Sequence, residues 1–130
     1  MDYINKIGAI IIDNKRILVC KKKDKYIIPG GRIEKGESDE ECLRRELKEE
    51  LDVGLISFNY FDSFEDEAAL DPGMIIEMKV YFVKIEGIPK ARSEIENIKW
   101  IDSGDIGKMK LGSIIEKFVM PILKERNMIN

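Results

Sequence analysis

Gly31-Arg32-Ile33-Glu34-Lys35-Gly36-Glu37-Ser38-Asp39-Glu40-Glu41-Cys42-Leu43-Arg44-Arg45-Glu46-Leu47-Lys48-Glu49-Glu50-Leu51-Asp52-Val53 reads as a loop that turns into a helix. Ser38 followed by Glu41 is a capping-box pattern, and Asp39 and Glu40 suit the positive end of a helix dipole. Leu43, Leu47 and Leu51 recur every four residues and make a buried stripe, so a helix is predicted over 38–51. Glu46, Glu49 and Glu50 stand at i, i+3 and i+4 and share one face. At 100° per residue that face lies beside the leucine stripe, at the edge of the core, where a cleft can open. Glu40 with Arg44 and Glu41 with Arg45 are well-oriented i, i+4 pairs, whereas Glu46 with Glu50 is a like-charge pair with no basic residue on its own face. A divalent cation would reverse the sign of that repulsion.

Strands are read on both sides of this helix. Upstream, 4–12 is β-rich and nearly continuous, 16–22 returns after an Asp13-Asn14-Lys15 turn, and 26–28 is stopped by Pro29-Gly30-Gly31. The lysines at 21, 22, 23 and 25 read as a solvated loop, with a phosphate-attracting lip as the alternative. Downstream, 54–64 is an aromatic-rich strand, 65–73 an acidic loop, 74–85 a long strand and 95–101 another, containing Trp100. Residues 102–107 suit one helical turn, and 113–126 the last helix, with a kink or break at Pro121. This order predicts an α+β fold, a mixed β-sheet between helices.

Composition narrows the chemistry. The 130 residues suit one domain, 1–130. A net charge of −3 argues against duplex nucleic acid as a partner but not against small anions, which a bound metal can attract. Histidine is absent, which removes Ser-His-Asp and Cys-His catalysis and every imidazole metal site. A metal must then be held mainly by oxygen, which points to Mg²⁺ or Mn²⁺. Cys20 and Cys42 form no disulfide framework, so a reducing, cytoplasmic setting is expected. No targeting segment or membrane span is read.

The 31–53 stretch resembles the Nudix box: Gly, five residues, Glu, seven residues, then Arg-Glu-apolar-x-Glu-Glu-x-Gly-apolar. Gly31, Glu37, Arg45, Glu46, Leu47, Glu49, Glu50 and Val53 stand at the required spacings, a match of about 10⁻⁵ by chance. Asp52 replaces the box glycine. That position closes the helix in a left-handed conformation, which Asp tolerates better than most residues. The resemblance implies the Nudix fold and a metal-dependent pyrophosphohydrolase of small MutT-like type, acting on a nucleoside diphosphate derivative or an ordinary or oxidised nucleoside triphosphate. It implies Glu46, Glu49 and Glu50 as metal ligands, with the Gly31 carbonyl added and Glu37 supporting the site. Arg45 would orient a catalytic glutamate, and Gly30, Gly31 and Arg32 would meet the substrate. Glu94 and Glu96 flank Ile95 and would share a strand face, where the family resemblance suggests that one of them assists catalysis. Among the aromatic residues at 60, 61, 64, 81 and 82, core packing outweighs base stacking.

Two other functions fit the same fold. A nucleotide-binding regulatory module would not need all three carboxylates. An isoprenoid diphosphate isomerase would want a catalytic cysteine outside the box, and Cys20 lies in a strand. The sequence leaves the individual nucleotide and the oligomeric state open, a homodimer included.

Overall fold

A computed structural model describes residues 2–68 and 72–130. The chain runs β1 (Tyr3–Ile10), β2 (Ile12–Asp13), β3 (Arg16–Lys22), β4 (Lys25–Ile27), β5 (Gly30–Arg32), α1 (Asp39–Leu51), β6 (Gly54–Glu67), β7 (Ile75–Glu86), β8 (Asn97–Ile101) and α2 (Met120–Glu125). One sheet has the order β5-β1-β7-β6, with β1 and β7 parallel and the other pairs antiparallel. The second has the order β2-β3-β4, with β8 also paired to β3.

The nearly continuous apolar runs of β1 and β3 are explained by two cores. Ile4 and Ile10 of β1 and Ile17 and Val19 of β3 pack with Ile115, Val119, Met120 and Leu123 of the C-terminal helical segment. Ile7 and Ala9, with Leu18 and Cys20, pack with Cys42, Leu43, Leu47 and Leu51 of α1. Alternate side chains thus enter opposite cores, and the strands are buried on both faces. Each fully buried leucine of the α1 stripe contributes about 1.5–3 kcal/mol. The expected α+β arrangement, a mixed sheet between helices, is what the chain forms.

Helix α1 starts and stops where its sequence directs. The Ser38 hydroxyl accepts from the Glu41 N–H at 3.1 Å, and the Glu41 carboxylate accepts from the Ser38 N–H at 2.9 Å. Asp52 is left-handed, with φ 54° and ψ 44°, and its N–H closes the helix onto Leu47 and Lys48 carbonyls. Asp52→Gly is therefore expected to change unfolding free energy by no more than about 1 kcal/mol and turnover by no more than a few-fold. A hundredfold loss in a steady-state assay would place Asp52 in the site instead.

Several boundaries depart from the sequence reading. Gly30–Arg32 is not loop but a short strand on β1, pairing Gly30 with Gly8 and Gly31 with Ile7. The lysines at 21, 22 and 25 sit in a tight hairpin, with Lys22 opposite Lys25. Strand β6 continues through Glu65, Asp66 and Glu67, where a loop was expected. Pairing to Glu77, Ile76 and Ile75 carries it on, and Lys117 lies 2.9 Å from Asp66 to meet its charge. The rest of that expected acidic loop includes 69–71, outside the described residues. The break expected at Pro121 takes the form of a π-helical stretch at Ile115–Val119, with Pro121 in the first turn of α2. A proline has no N–H for the ladder, and the widened turn ahead of it absorbs the mismatch.

Candidate active site

Helix α1 lays its carboxylates against the β5 strand. Glu50 is 6% exposed, and its Oε1 accepts the Gly30 N–H at 2.9 Å. Burial pushes its carboxyl up to about 7, against the stabilising Gly30 hydrogen bond and with the Glu46 charge adding to the rise. Glu46 has a side chain only 13% exposed. Its carboxyl is also raised by burial, with Arg45 opposing. Glu49 is the open member, 56% exposed.

Arg45 organises the group. Its Nε and Nη2 grip the two Glu37 oxygens at 2.7 and 2.9 Å, a bidentate pair. Those bonds, with the Glu34 N–H, hold the Glu37 carboxyl down at about 2. Arg45 Nη1 lies 2.6 Å from Glu46 and 3.6 Å from Glu49, and Nη2 donates to the Arg32 carbonyl at 3.0 Å. Helical spacing pairs Arg45 with Glu41, whereas the family resemblance gives it a catalytic glutamate to orient. The structure corrects the pairing with Glu41 and puts Arg45 beside Glu46 and Glu49. Glu41 is committed to the Ser38 cap, which frees Arg45 to fold back over Glu37 and Glu46.

Gly31 makes room for this. A Cβ there would stand 2.6 Å from the Glu46 carboxyl carbon. Gly30 has φ +142°, and a Cβ on it would lie 2.0 Å from the Ile7 carbonyl oxygen. Both glycines line a cavity with Lys6, Lys22, Ile27, Met78 and Ile114. Arg32 is exposed and does not line it; its carbonyl serves Arg45 instead.

The late glutamates lie elsewhere than alternation predicted. Strand β8 begins at Asn97, so Glu94 sits in a turn and Glu96 in the link before the strand. Glu94 pairs with Lys22 at 3.1 Å. Of the aromatics, Phe61, Phe64 and Phe82 pack onto the C-terminal core, Tyr81 onto the α1 core, and Tyr60 is 55% exposed. Lys22 falls within the lysine run read as a solvated loop, with a phosphate-attracting lip as the alternative; alternation along β3 is the signal that singles it out as a cavity residue.

The sequence matches the NUDIX domain model over residues 2–120. The chain belongs to the Nudix family. Its fold matches that of the MutT protein from Methanosarcina mazei at TM-score 0.80, with 20% identity over 97% of this chain and 96% of that one. A Nudix hydrolase family member from Chromobacterium violaceum matches at TM-score 0.76 and 28% identity, over 97% and 80%. Among curated relatives, the m7GpppN-mRNA hydrolase of Saccharomyces cerevisiae is 31% identical over 125 residues, 87% of this chain and 12% of that protein. The 8-oxo-dGTP diphosphatase of Buchnera aphidicola is 34% identical over 67 residues, 47% of this chain and 52% of that protein. The chain thus spans about an eighth to a half of the length of these relatives.

The donor types suit a hard divalent cation: three carboxylates at i, i+3 and i+4 of one helix, no imidazole, and a glycine where a Cβ would crowd Glu46. Among the described residues no three acidic or thiol groups already stand in ligating positions. Arg45 holds Glu46, and the Gly30 N–H holds Glu50. No described helix is long and apolar enough to cross a membrane.

Proposed function

We propose that this chain is, as one domain over 1–130, a metal-dependent Nudix pyrophosphohydrolase. It cuts the pyrophosphate linkage of a nucleoside diphosphate derivative or of an ordinary or oxidised nucleoside triphosphate. The observation that carries this reading is the buried Glu50, which accepts the Gly30 N–H beside Glu46 and Glu49, where Gly30 and Gly31 also line a cleft. A carboxylate kept in so dry a place is costly without a counter-charge. Relatives named for 8-oxo-dGTP and for m7GpppN-mRNA support a nucleotide as substrate.

In this reading Glu46, Glu49 and Glu50 hold Mg²⁺ or Mn²⁺, with the Gly31 carbonyl as a further oxygen donor. The cation supplies charge neutralisation on the phosphate oxygens and lowers the pKa of water for in-line attack. Glu37 anchors Arg45, and Arg45 sets the orientation of Glu46. The glycine backbone at 30 and 31 lets phosphate approach the strand closely. The mostly apolar wall of Ile27, Ile28, Ile76, Met78 and Ile114 shelters the rest of the nucleotide from water. The reaction is set in the cytoplasm, with a small-molecule nucleotide as partner.

A panel of nucleotides with Mg²⁺, scored for released phosphate or pyrophosphate, tests the assignment. Turnover is expected to vanish in excess chelator and return with Mg²⁺ or Mn²⁺. Metal is also expected to raise the melting temperature, because it binds the native state alone. Undiminished hydrolysis in chelator would overturn the metal assignment. Nucleotide binding without turnover on any member of the panel would favour a regulatory module, which the Arg45 contacts to Glu46 and Glu49 would suit.

A further inference from the structure

Lys22 ends β3 and lines the cavity, with its side chain 25% exposed. Its Nζ lies 3.1 Å from Glu94 Oε2, and the Glu94 side chain is 75% exposed. Glu94 is carried by backbone fixed on both sides. The Arg92 N–H donates to the Glu50 carbonyl at 2.9 Å, and the Glu96 N–H donates to the Lys21 carbonyl at 2.9 Å. Between them Ile95 is buried, at 6% exposure. The turn is therefore pinned to the last turn of α1 and to β3 at once. Glu94 stands outside the cavity lining, while Lys22 stands in it. An ammonium has three donors and Glu94 takes one, which leaves capacity for an anion in the cavity. The Lys22 charge also bears on Glu46 and Glu50, where it opposes the effect of burial.

We propose that Glu94 is a positioning residue, which holds the Lys22 ammonium at the cavity wall to take a phosphate oxygen of the substrate. This rests on the nucleotide reading above. It gives Glu94 a role through Lys22 and not as a proton acceptor. The two roles separate in kinetics. A base lost from the site lowers kcat. A loosened lysine raises KM, because it contacts phosphate in the ground state and the transition state alike.

The test is a cycle of Glu94→Gln, Lys22→Met and the double variant. Each is assayed with the best nucleotide and also titrated with inorganic pyrophosphate in chelator. Lys22→Met is expected to raise KM about tenfold. Glu94→Gln is expected to raise it about 3- to 5-fold, the range an exposed ion pair carries, with kcat within twofold. The double variant is expected to match Lys22→Met, and Glu94→Asp to recover most of the loss. Pyrophosphate affinity is expected to fall in the same order. A tenfold fall in kcat at unchanged KM for Glu94→Gln would overturn the proposal. So would an equal Glu94→Gln effect with and without Lys22. The pyrophosphate titration reads the Lys22–Glu94 link even where no nucleotide is cut, so failure of the enzymatic reading is seen separately.

Discussion

Glu50→Gln and Glu49→Gln are each expected to lower kcat by about 10²-fold or more, equal to roughly 3 kcal/mol of transition-state stabilisation. Glutamine keeps the side-chain shape and helix propensity but removes the charge that holds a hard cation. The two positions should differ in the apo protein. Glu49 is open to water, so its loss changes little there. Glu50 is buried, and its folded pKa of about 7 lies above the ordinary 4.5. A carboxyl raised in the folded state contributes its stability fully below 4.5 and loses it as pH rises through 7. In chelator the native protein should therefore lose up to about 3 kcal/mol between pH 4.5 and 8 from this group. Glu50→Gln should abolish that part of the slope and be the more stable protein at pH 8. Urea unfolding at both pH values checks the sign. Near-native turnover in both glutamine variants would remove the enzymatic role from this helix.

The shared face of Glu46, Glu49 and Glu50 was legible because helix periodicity is a local property. Positions 46, 49 and 50 share a face in any helix, and the Ser38 cap and the Asp52 stop fix that helix without tertiary help. The contact partners were less legible. Arg45 was read against its helical neighbour Glu41, but the capping box had already taken that carboxylate, and a residue eight positions upstream, Glu37, won Arg45. Lys22 was less legible for a different reason. A run of lysines looks solvated as a whole, yet β3 alternates and sends one of them to the cavity. The acidic end of β6 was misread because local composition favours a loop there. The strand persists through long-range terms, its pairing to β7 and the Lys117 contact to Asp66. Local rules thus served α1 well and failed where a partner far along the chain decided the outcome.

Gly30→Ala and Gly31→Ala are adjacent, chemically identical changes with different expected outcomes. At Gly30 the new methyl would meet the Ile7 carbonyl oxygen at 2.0 Å, and the backbone has φ +142°, a conformation that L side chains rarely adopt. Neither contact can relax by a rotamer change, because the neighbour is the backbone of β1. The β5–β1 pairing must open, and with it goes the Gly30 N–H that holds Glu50. A loss of at least about 3 kcal/mol is expected, and a melting temperature lower by about 10 °C. At Gly31 the new methyl would meet the Glu46 carboxyl at 2.6 Å. That neighbour is the far end of a flexible side chain, so it can swing away and the fold persists, at a cost of about 1 kcal/mol. What changes is the placement of Glu46 against Arg45 and the cavity, so activity should fall about tenfold or more while the melt is nearly native. Thermal melts and turnover measured on both variants decide the matter. A native melt for Gly30→Ala would refute the close approach of β5 to β1. Full activity in Gly31→Ala would show that the position of Glu46 does not matter to the reaction, and the three-carboxylate assignment would shrink to Glu49 and Glu50.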